Sequence, residues 1–350
     1  MQEIIQQFSD TVRKAAAEHT HLRIRGSGAK DFYGLALIGE VLDTRSCTGI
    51  VEYESTELVL TARAGTPLRD VEDVLAKNAQ MLPFEPPHFG SAATLGGSVA
   101  CGFSGPRRAA AGSARDFVLG VRMLNGVGED LRFGGKVMKN VAGYDLARLM
   151  TGSFGTLGVI TEISLKVLPV PEHEHTLRLE MNEAAALDAM NSWAAKPLPL
   201  SASCHVDGCL YLRLSGAGSA VEAAQKKLGG DRVAGGTAFW QSIREQTHGF
   251  FSGVATVWRL SIKPTTPPLG LGPQLIEWNG GLRWIAAGLN PSLAFETAQK
   301  AGGHATLFRG GDKRLGIQRL PANLLAVHKK LKRAFDPEGI LGPGRIHADF

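Results

Sequence analysis

Short glycine turns, separate along the chain yet crowded into one region, constrain the fold more than any other feature. Fourteen glycines fall in the 63 residues from Gly96 to Gly158, about one in 4.5, against 43 in 350, about one in eight, for the whole sequence. Glycine reaches left-handed backbone without strain and lets the main chain approach a ligand closely. Turns of this kind at Arg25 to Lys30, Thr94 to Ser98 and Gly152 to Gly158 each present backbone N–H groups to an anion without side-chain bulk. No Gly-X-Y period runs through them, which excludes a collagen-like chain. Apolar residues, 44% of the sequence, lie between the glycines throughout, which excludes disorder. Taken alone, the turn from Gly26 to Lys30 is either a phosphate cradle or an ordinary loop; taken together, the turns call for one extended ligand touched at several points.

Periodicity supplies the frame around the turns. Ile4, Ile5, Phe8 and Val12 form a helical stripe, and Leu22 to Arg25 alternates as a strand that delivers the first turn. Ile50 to Tyr53 and Leu58 to Ala64 read as strands, and a helix follows to Asn78 with Thr66 as N-cap and Pro67 as its first residue. Phe117 to Leu124 and Leu131 to Phe133 flank Asn125-Gly126, a hairpin signal, and Val159 to Val167 is a further strand before Pro169-Val170-Pro171. Beyond those prolines, helices at 184–195, 219–228, 291–301 and 320–335 alternate with strands at 211–214, 256–262, 275–278, 283–287 and 304–308, the pattern of helices over an antiparallel sheet.

A chain of 350 residues is long enough for two domains. Its formal charge of +5, from 38 Lys and Arg against 33 Asp and Glu, is dispersed without a block of five like charges, so no nucleic-acid role is expected. Cys47, Cys101, Cys204 and Cys209 are too scattered for a disulfide framework, and Cys204-x4-Cys209 is too sparse for an iron-sulfur cluster. No basic leader followed by an apolar stretch opens the chain, so a reduced cytoplasmic setting is expected.

Strict templates fail. Asp31 and Leu131 stand where the dinucleotide fingerprint needs a third glycine, and Gly135-Lys136-Val137 lacks the rest of a Walker A loop. The nucleophile elbow, the His-Glu-x-x-His pair and paired Cys-x-x-Cys are missing. His173-Glu174-His175 follows the domain-ending prolines, where an exposed loop is expected rather than a metal site, so the metal expectation is none.

An ordered series of motifs carries a resemblance. It comprises Arg25-Gly26-Ser27-Gly28-Ala29-Lys30, Pro86-Pro87, Thr94-Leu95-Gly96-Gly97, Gly105-Pro106-Arg107-Arg108, Ser113 to Gly120, Phe133 to Asp145, Gly155 to Glu162 and terminal Gly342-Pro343-Gly344-Arg345. Together they resemble the FAD-binding fold of the vanillyl-alcohol oxidase and p-cresol methylhydroxylase type, and in detail the FAD-binding E subunits of bacterial glycolate oxidases. The resemblance implies an α+β fold, with a two-part FAD-binding domain at 1–171, a smaller α+β cap domain at 172–335 and a tail at 336–350 returning to the FAD site.

It also implies roles. Arg25, Gly26, Ser27, Gly28, Ala29 and Lys30 would cradle the FAD pyrophosphate. Pro87, Thr94, Leu95, Gly96, Gly97, Gly102, Ser104 and Gly105 would line the flavin and ribityl chain, and Gly112, Ser113 and Asp116 would touch the cofactor from the next loop. Gly155, Gly158, Val159 and Ile160 would take the adenine side, with Arg345 at the C-terminal edge. Asp116 stays open between that role and a turn-forming carboxylate. Gly342 replaces the asparagine common in relatives, and the first turn lacks a flavin-linking histidine, so FAD is expected to be non-covalent. The paired-histidine metal site of related 2-hydroxy-acid dehydrogenases is missing from 172–335. His304 and Arg107 are the candidates for touching substrate, each with a structural alternative.

The activity implied is oxidation of glycolate to glyoxylate with electron relay, by an FAD-dependent oxidoreductase working inside a multisubunit complex. Its partners would be a larger FAD-binding subunit and an iron-sulfur subunit, with peripheral contact to the cytoplasmic membrane through the complex. Two other readings remain: an independent FAD-dependent 2-hydroxy-acid dehydrogenase, and a flavin-free scaffold.

Overall fold

The computed structural model describes residues 2–35, 37–135 and 145–348. The motif Lys139-Asn140-Val141-Ala142-Gly143-Tyr144 therefore lies outside the described residues. The opening stripe forms the helix Gln2–Glu18, which buries Ile5, Phe8, Val12 and Ala15, the i, i+3, i+4 face expected of an amphipathic helix. That face packs on Leu22 and Leu42 of a two-stranded parallel pair, Leu22–Arg25 with Glu40–Asp43. Ile340 and Leu341 of the C-terminal segment join the same cluster. There Leu22 N donates to Ile340 O at 2.8 Å and Gly342 N to Leu22 O at 2.7 Å.

The next layer is a five-stranded sheet in the order Ile50–Glu54, Val59–Arg63, Val159–Lys166, Val118–Leu124, Asp130–Gly134, every neighbouring pair antiparallel. Helices Leu68–Ala76 and Leu95–Cys101 cover it, with Leu60, Leu68, Val71, Leu75, Leu95, Val99, Ile163 and Leu165 in one buried cluster. The first of these helices starts one residue later than the sequence suggests. Pro67 is its N-cap, and Thr66 is drawn off to the neighbouring turn, where its Oγ1 accepts from Gly49 N at 2.9 Å.

From His173 onward the chain builds an eight-stranded antiparallel sheet. Its spatial order is Asp231–Arg232, His173–Glu180, Cys209–Gly216, Leu200–Val206, Gln274–Glu277, Leu282–Ile285, Val257–Ser261, His304–Arg309. Helices Glu183–Ala194 and Gly218–Leu228 bury Leu187, Met190 and Val221 against one part of it, and Pro291–Lys300 buries Ala294 and Ala298 against another. The architecture is thus α+β. His173-Glu174-His175 opens a strand rather than lying in a loop, because it pairs with Gly216, Ser215 and Leu214. Strand Leu200–Val206 and helix Gly236–Arg244 were not expected.

Polar contacts fasten the two sheets together. Trp278 Nε1 donates to Gly105 O at 3.0 Å, and the Glu245 carboxylate accepts from the backbone N–H groups of His88 and Phe89. Beside them Phe32, Tyr33, Phe89, Phe103, Phe154 and Phe308 pack, mostly edge to face, in an aromatic layer with ring centroids 5.0–6.4 Å apart.

Candidate FAD-binding site

Three of the glycine turns meet at one cleft. Its walls include Arg25 to Asp31, Thr94, Gly96, Gly97, Gly155, Gly158, Ile160 and Arg345. The parallel strand ends at Arg25, and the chain turns at once. A Cβ at Gly26 would overlap Thr94 Oγ1, and Gly28 sits at φ +80, so the turn is held close to the neighbouring helix by the absence of side chains. Within it the N–H groups of Gly26, Ser27, Gly28 and Lys30 have no acceptor among the described residues, while Ala29 N is taken by Ser27 Oγ. Arg25 Nε closes the loop on Asp31 at 2.8 Å.

On the opposite wall Thr94 caps the helix Leu95–Cys101 by accepting from Gly97 N at 3.2 Å. Lys30 lies buried beneath, its Nζ on His88 O at 3.2 Å and Ser98 Oγ at 3.4 Å; burial lowers its pKa, with Cys101 and Glu245 opposing. At the far end Arg345 donates to Leu35 O at 2.7 Å and lies over the Phe154 ring. Burial pulls its pKa down, against Cys101, Asp31 and Tyr33. Arg25, Lys30 and Arg345 against Asp31 give the lining a cationic balance.

FAD fits this cleft on two counts. Unpaired N–H groups stand beside cationic side chains, the combination a pyrophosphate needs, and three glycine turns line the one cleft together. Ile24, Leu37, Thr44, Ala64, Ala100 and Phe154 also line it and were not among the expected contacts; small or apolar residues of this kind carry no motif signal. Cys101 lines it too, with its thiol pushed up to about 11 by burial, so it stays a neutral thiol.

Several expected contacts stand elsewhere. Leu95 and Val159 are buried in the core clusters. Gly102 ends the capped helix at φ +65. Gly112, Ser113 and Asp116 form a self-contained turn away from the cleft lining, in which Asp116 Oδ2 accepts from Ser113 N and Oγ at 2.8 and 2.7 Å; the turn-forming reading of Asp116 is the one the geometry matches. Pro87, Ser104 and Gly105 line a second cavity between the sheets. His304 lines a third space that shares Phe154 and Arg345 with the cleft. Arg107 is spent on Glu85 and Glu174 at 3.3 and 2.9 Å. Gly342 turns at φ +51 beside Thr156 and is not part of the cleft lining. Among the described residues no group of three or more His, Cys, Asp or Glu is placed to hold a metal.

Comparison with known proteins agrees with this geometry. Residues 3–134 match the family model described as an FAD binding domain. Glycolate oxidase subunit GlcE of Escherichia coli (strain K12) is 49% identical over 345 residues, covering 98% of this chain and 97% of that protein. Glycolate oxidase subunit GlcD of Bacillus subtilis (strain 168) is 35% identical over 163 residues, 46% of this chain and 34% of its own length. Among solved structures, alkyldihydroxyacetonephosphate synthase superposes with a TM-score of 0.65 at 17% identity, covering 96% of this chain and 73% of that one. That likeness carries the fold alone, the FAD-binding fold of the p-cresol methylhydroxylase type. With the full-length identity to GlcE, the chain belongs to the family of FAD-binding glycolate oxidase GlcE subunits.

Proposed function

We propose that this chain is the FAD-binding subunit of a glycolate oxidase complex, taking part in the oxidation of glycolate to glyoxylate and in relaying the electrons onward. The observation that carries the reading is the 49% identity to a glycolate oxidase subunit along nearly the whole of both chains, together with a cleft whose unpaired N–H groups suit a pyrophosphate. When bound, the flavin ring supplies two-electron acceptance from an alcohol and one-electron delivery to a carrier. The protein's own contribution is positional. The Gly26 to Lys30 turn offers N–H donors to the phosphates, Lys30 and Arg345 place fixed positive charge at the cleft, and Phe154, packed on Tyr33, gives it an apolar wall.

In this reading turnover belongs to the complex. Arg107 is committed to its ion pairs, while His304 stands at a strand start in the space beside the cleft. A larger flavoprotein subunit then supplies the substrate chemistry and an iron-sulfur subunit carries the electrons away. Among the described residues no helix is long and apolar enough to cross a membrane, so contact with the inner face of the cytoplasmic membrane would come through the complex. The flavin is proposed to be non-covalent. Co-expression with the neighbouring glycolate oxidase subunits tests the reading: a stable complex that reduces a dye with glycolate, while the lone FAD-loaded chain reduces it little, is expected. Robust turnover by the lone chain would overturn the division of labour.

A further inference from the structure

Lys30 lines the FAD cleft while buried, yet the groups that hold it there lie outside the cleft lining or carry no charge. Its Nζ donates to His88 O at 3.2 Å and to Ser98 Oγ at 3.4 Å, both neutral, and the Phe89 ring centre stands 6.0 Å away. Among the described residues no carboxylate lies within ion-pair distance of it, since the neighbouring Asp31 is spent on Arg25 at 2.8 Å. Lys30 therefore keeps its charge for the cleft, and its position depends on where His88 O is placed.

That placement is made from the other sheet. Helix Gly236–Arg244 buries Trp240 and Ile243 in the cluster of the eight-stranded sheet, and Glu245 ends it. Glu245 Oε2 accepts from Phe89 N at 2.9 Å and from His88 N at 3.1 Å, while Oε1 accepts from Arg244 Nε at 2.8 Å. Phe89 sits at φ +52, a left-handed backbone that an aromatic residue seldom takes and that neighbours must hold in place. In that conformation both N–H groups reach one carboxylate, and His88 O meets Lys30. The His88 ring is turned the other way, its Nε2 3.0 Å from Glu72 Oε2. Charge acts in the same sense as geometry. Burial lowers the Lys30 pKa, with Cys101 and Glu245 opposing; Cys101 stays a neutral thiol up to about 11, which leaves Glu245 as the anion that favours the ammonium.

We propose that Glu245 is a positioning residue for the cofactor: by gripping His88 and Phe89 from the eight-stranded sheet it places His88 O, and through it the Lys30 ammonium, at the cleft. Seating of the two sheets on each other and FAD affinity are thereby coupled. This role rests on the reading of the cleft as an FAD site and adds to it a residue that does not line the cleft.

Equilibrium FAD titration of the full-length chain reads the coupling as a double-mutant cycle of Glu245→Gln and Lys30→Met. The amide keeps the size of the side chain and one acceptor oxygen but removes the charge. Glu245→Gln should weaken FAD roughly fivefold beside Lys30, and by less than about twofold once Lys30 is replaced by Met. A role confined to holding the sheets together would cost the same factor in both backgrounds; that outcome, or unchanged FAD affinity in a folded Glu245→Gln, would overturn the proposal. Should a variant not fold or bind no FAD, hydrogen exchange in the parent gives the second reading, because coupling is reciprocal. FAD should slow exchange of the His88 and Phe89 amides, and unchanged exchange would overturn the proposal. No FAD binding by the parent would instead overturn the flavoprotein reading on which this role stands, whereas FAD binding without the coupling leaves that reading intact.

Discussion

Replacing Glu85 by Leu should loosen the junction between the two sheets. Glu85 Oε2 accepts from Arg107 N at 2.9 Å and Arg213 Nη2 at 3.0 Å, while Oε1 meets Arg107 Nε at 3.3 Å. Arg107 and Arg213 are both buried, and Glu174 is their other carboxylate, at 2.9 and 3.7 Å. Removing Glu85 therefore leaves two buried cations sharing one partly exposed anion. Breaking a buried pair in this way costs about 3–5 kcal/mol. The variant is compared with the parent by urea unfolding followed by tryptophan fluorescence. With a urea slope of about 1–3 kcal/mol per M, the midpoint should fall by about 1 M or more. Adding Arg213→Met should recover part of the loss, since one stranded charge disappears. Burial pushes the Glu85 carboxyl up, but Arg213 and Arg107 pull it below the usual range on balance. Its stabilisation is then present above an unfolded carboxyl value of about 4.3 and is lost as pH falls through the lower folded value. A loss of under about 1 kcal/mol, or unchanged acid sensitivity in the variant, would mean that Glu85 does not hold the two sheets together.

Other consequences follow from the same geometry. Glu277, held near 7 by burial, binds its proton more tightly folded than unfolded, so it takes away stability as pH rises from about 4.3 to about 7; Glu277→Gln should remove that decline, worth about 4 kcal/mol at pH 8, in thermal melts across pH. Gly28→Val meets the positive φ and crowds Arg25, and FAD affinity should fall at least about tenfold in equilibrium titration, one decade per about 1.4 kcal/mol of strain. Lys332 Nζ ties Asp336 at 2.5 Å, Thr156 O at 2.7 Å and Leu341 O at 2.6 Å, so Lys332→Met should free the C-terminal segment to limited proteolysis before the rest of the chain is cut. Acid precipitation of the holoprotein should leave the flavin in the supernatant, whereas yellow pellets would show a covalent link.

Much of the site was written in local chemistry. The Gly26 and Thr94 turns could be read because close backbone approach admits little but glycine, and the strands around Asn125-Gly126 because hairpin turns demand particular residues. What escaped the sequence depended on partners distant in the chain. Leu200–Val206 carries Ser, Ala and Cys where apolar alternation would be sought, and its burial comes from strands on both sides. Helix Gly236–Arg244 opens without a side-chain cap and is fixed by Trp240 donating to Thr176 at 2.9 Å. Leu95 and Val159 stand inside motifs expected to approach the cofactor, yet alternation along helix and strand turns their side chains into the core. Arg259 and Glu277 belong to no motif; only the register of three strands brings them to one cavity.

A structure of the chain with FAD bound would show whether the cofactor lies in the cleft where the three glycine turns converge. Pyrophosphate oxygens are expected within hydrogen-bond reach of the free N–H groups of Gly26, Ser27 and Gly28, with the cofactor running between Thr94 to Gly97 and Gly155 to Ile160. Cofactor density outside that cleft, with those N–H groups still facing water, would contradict it.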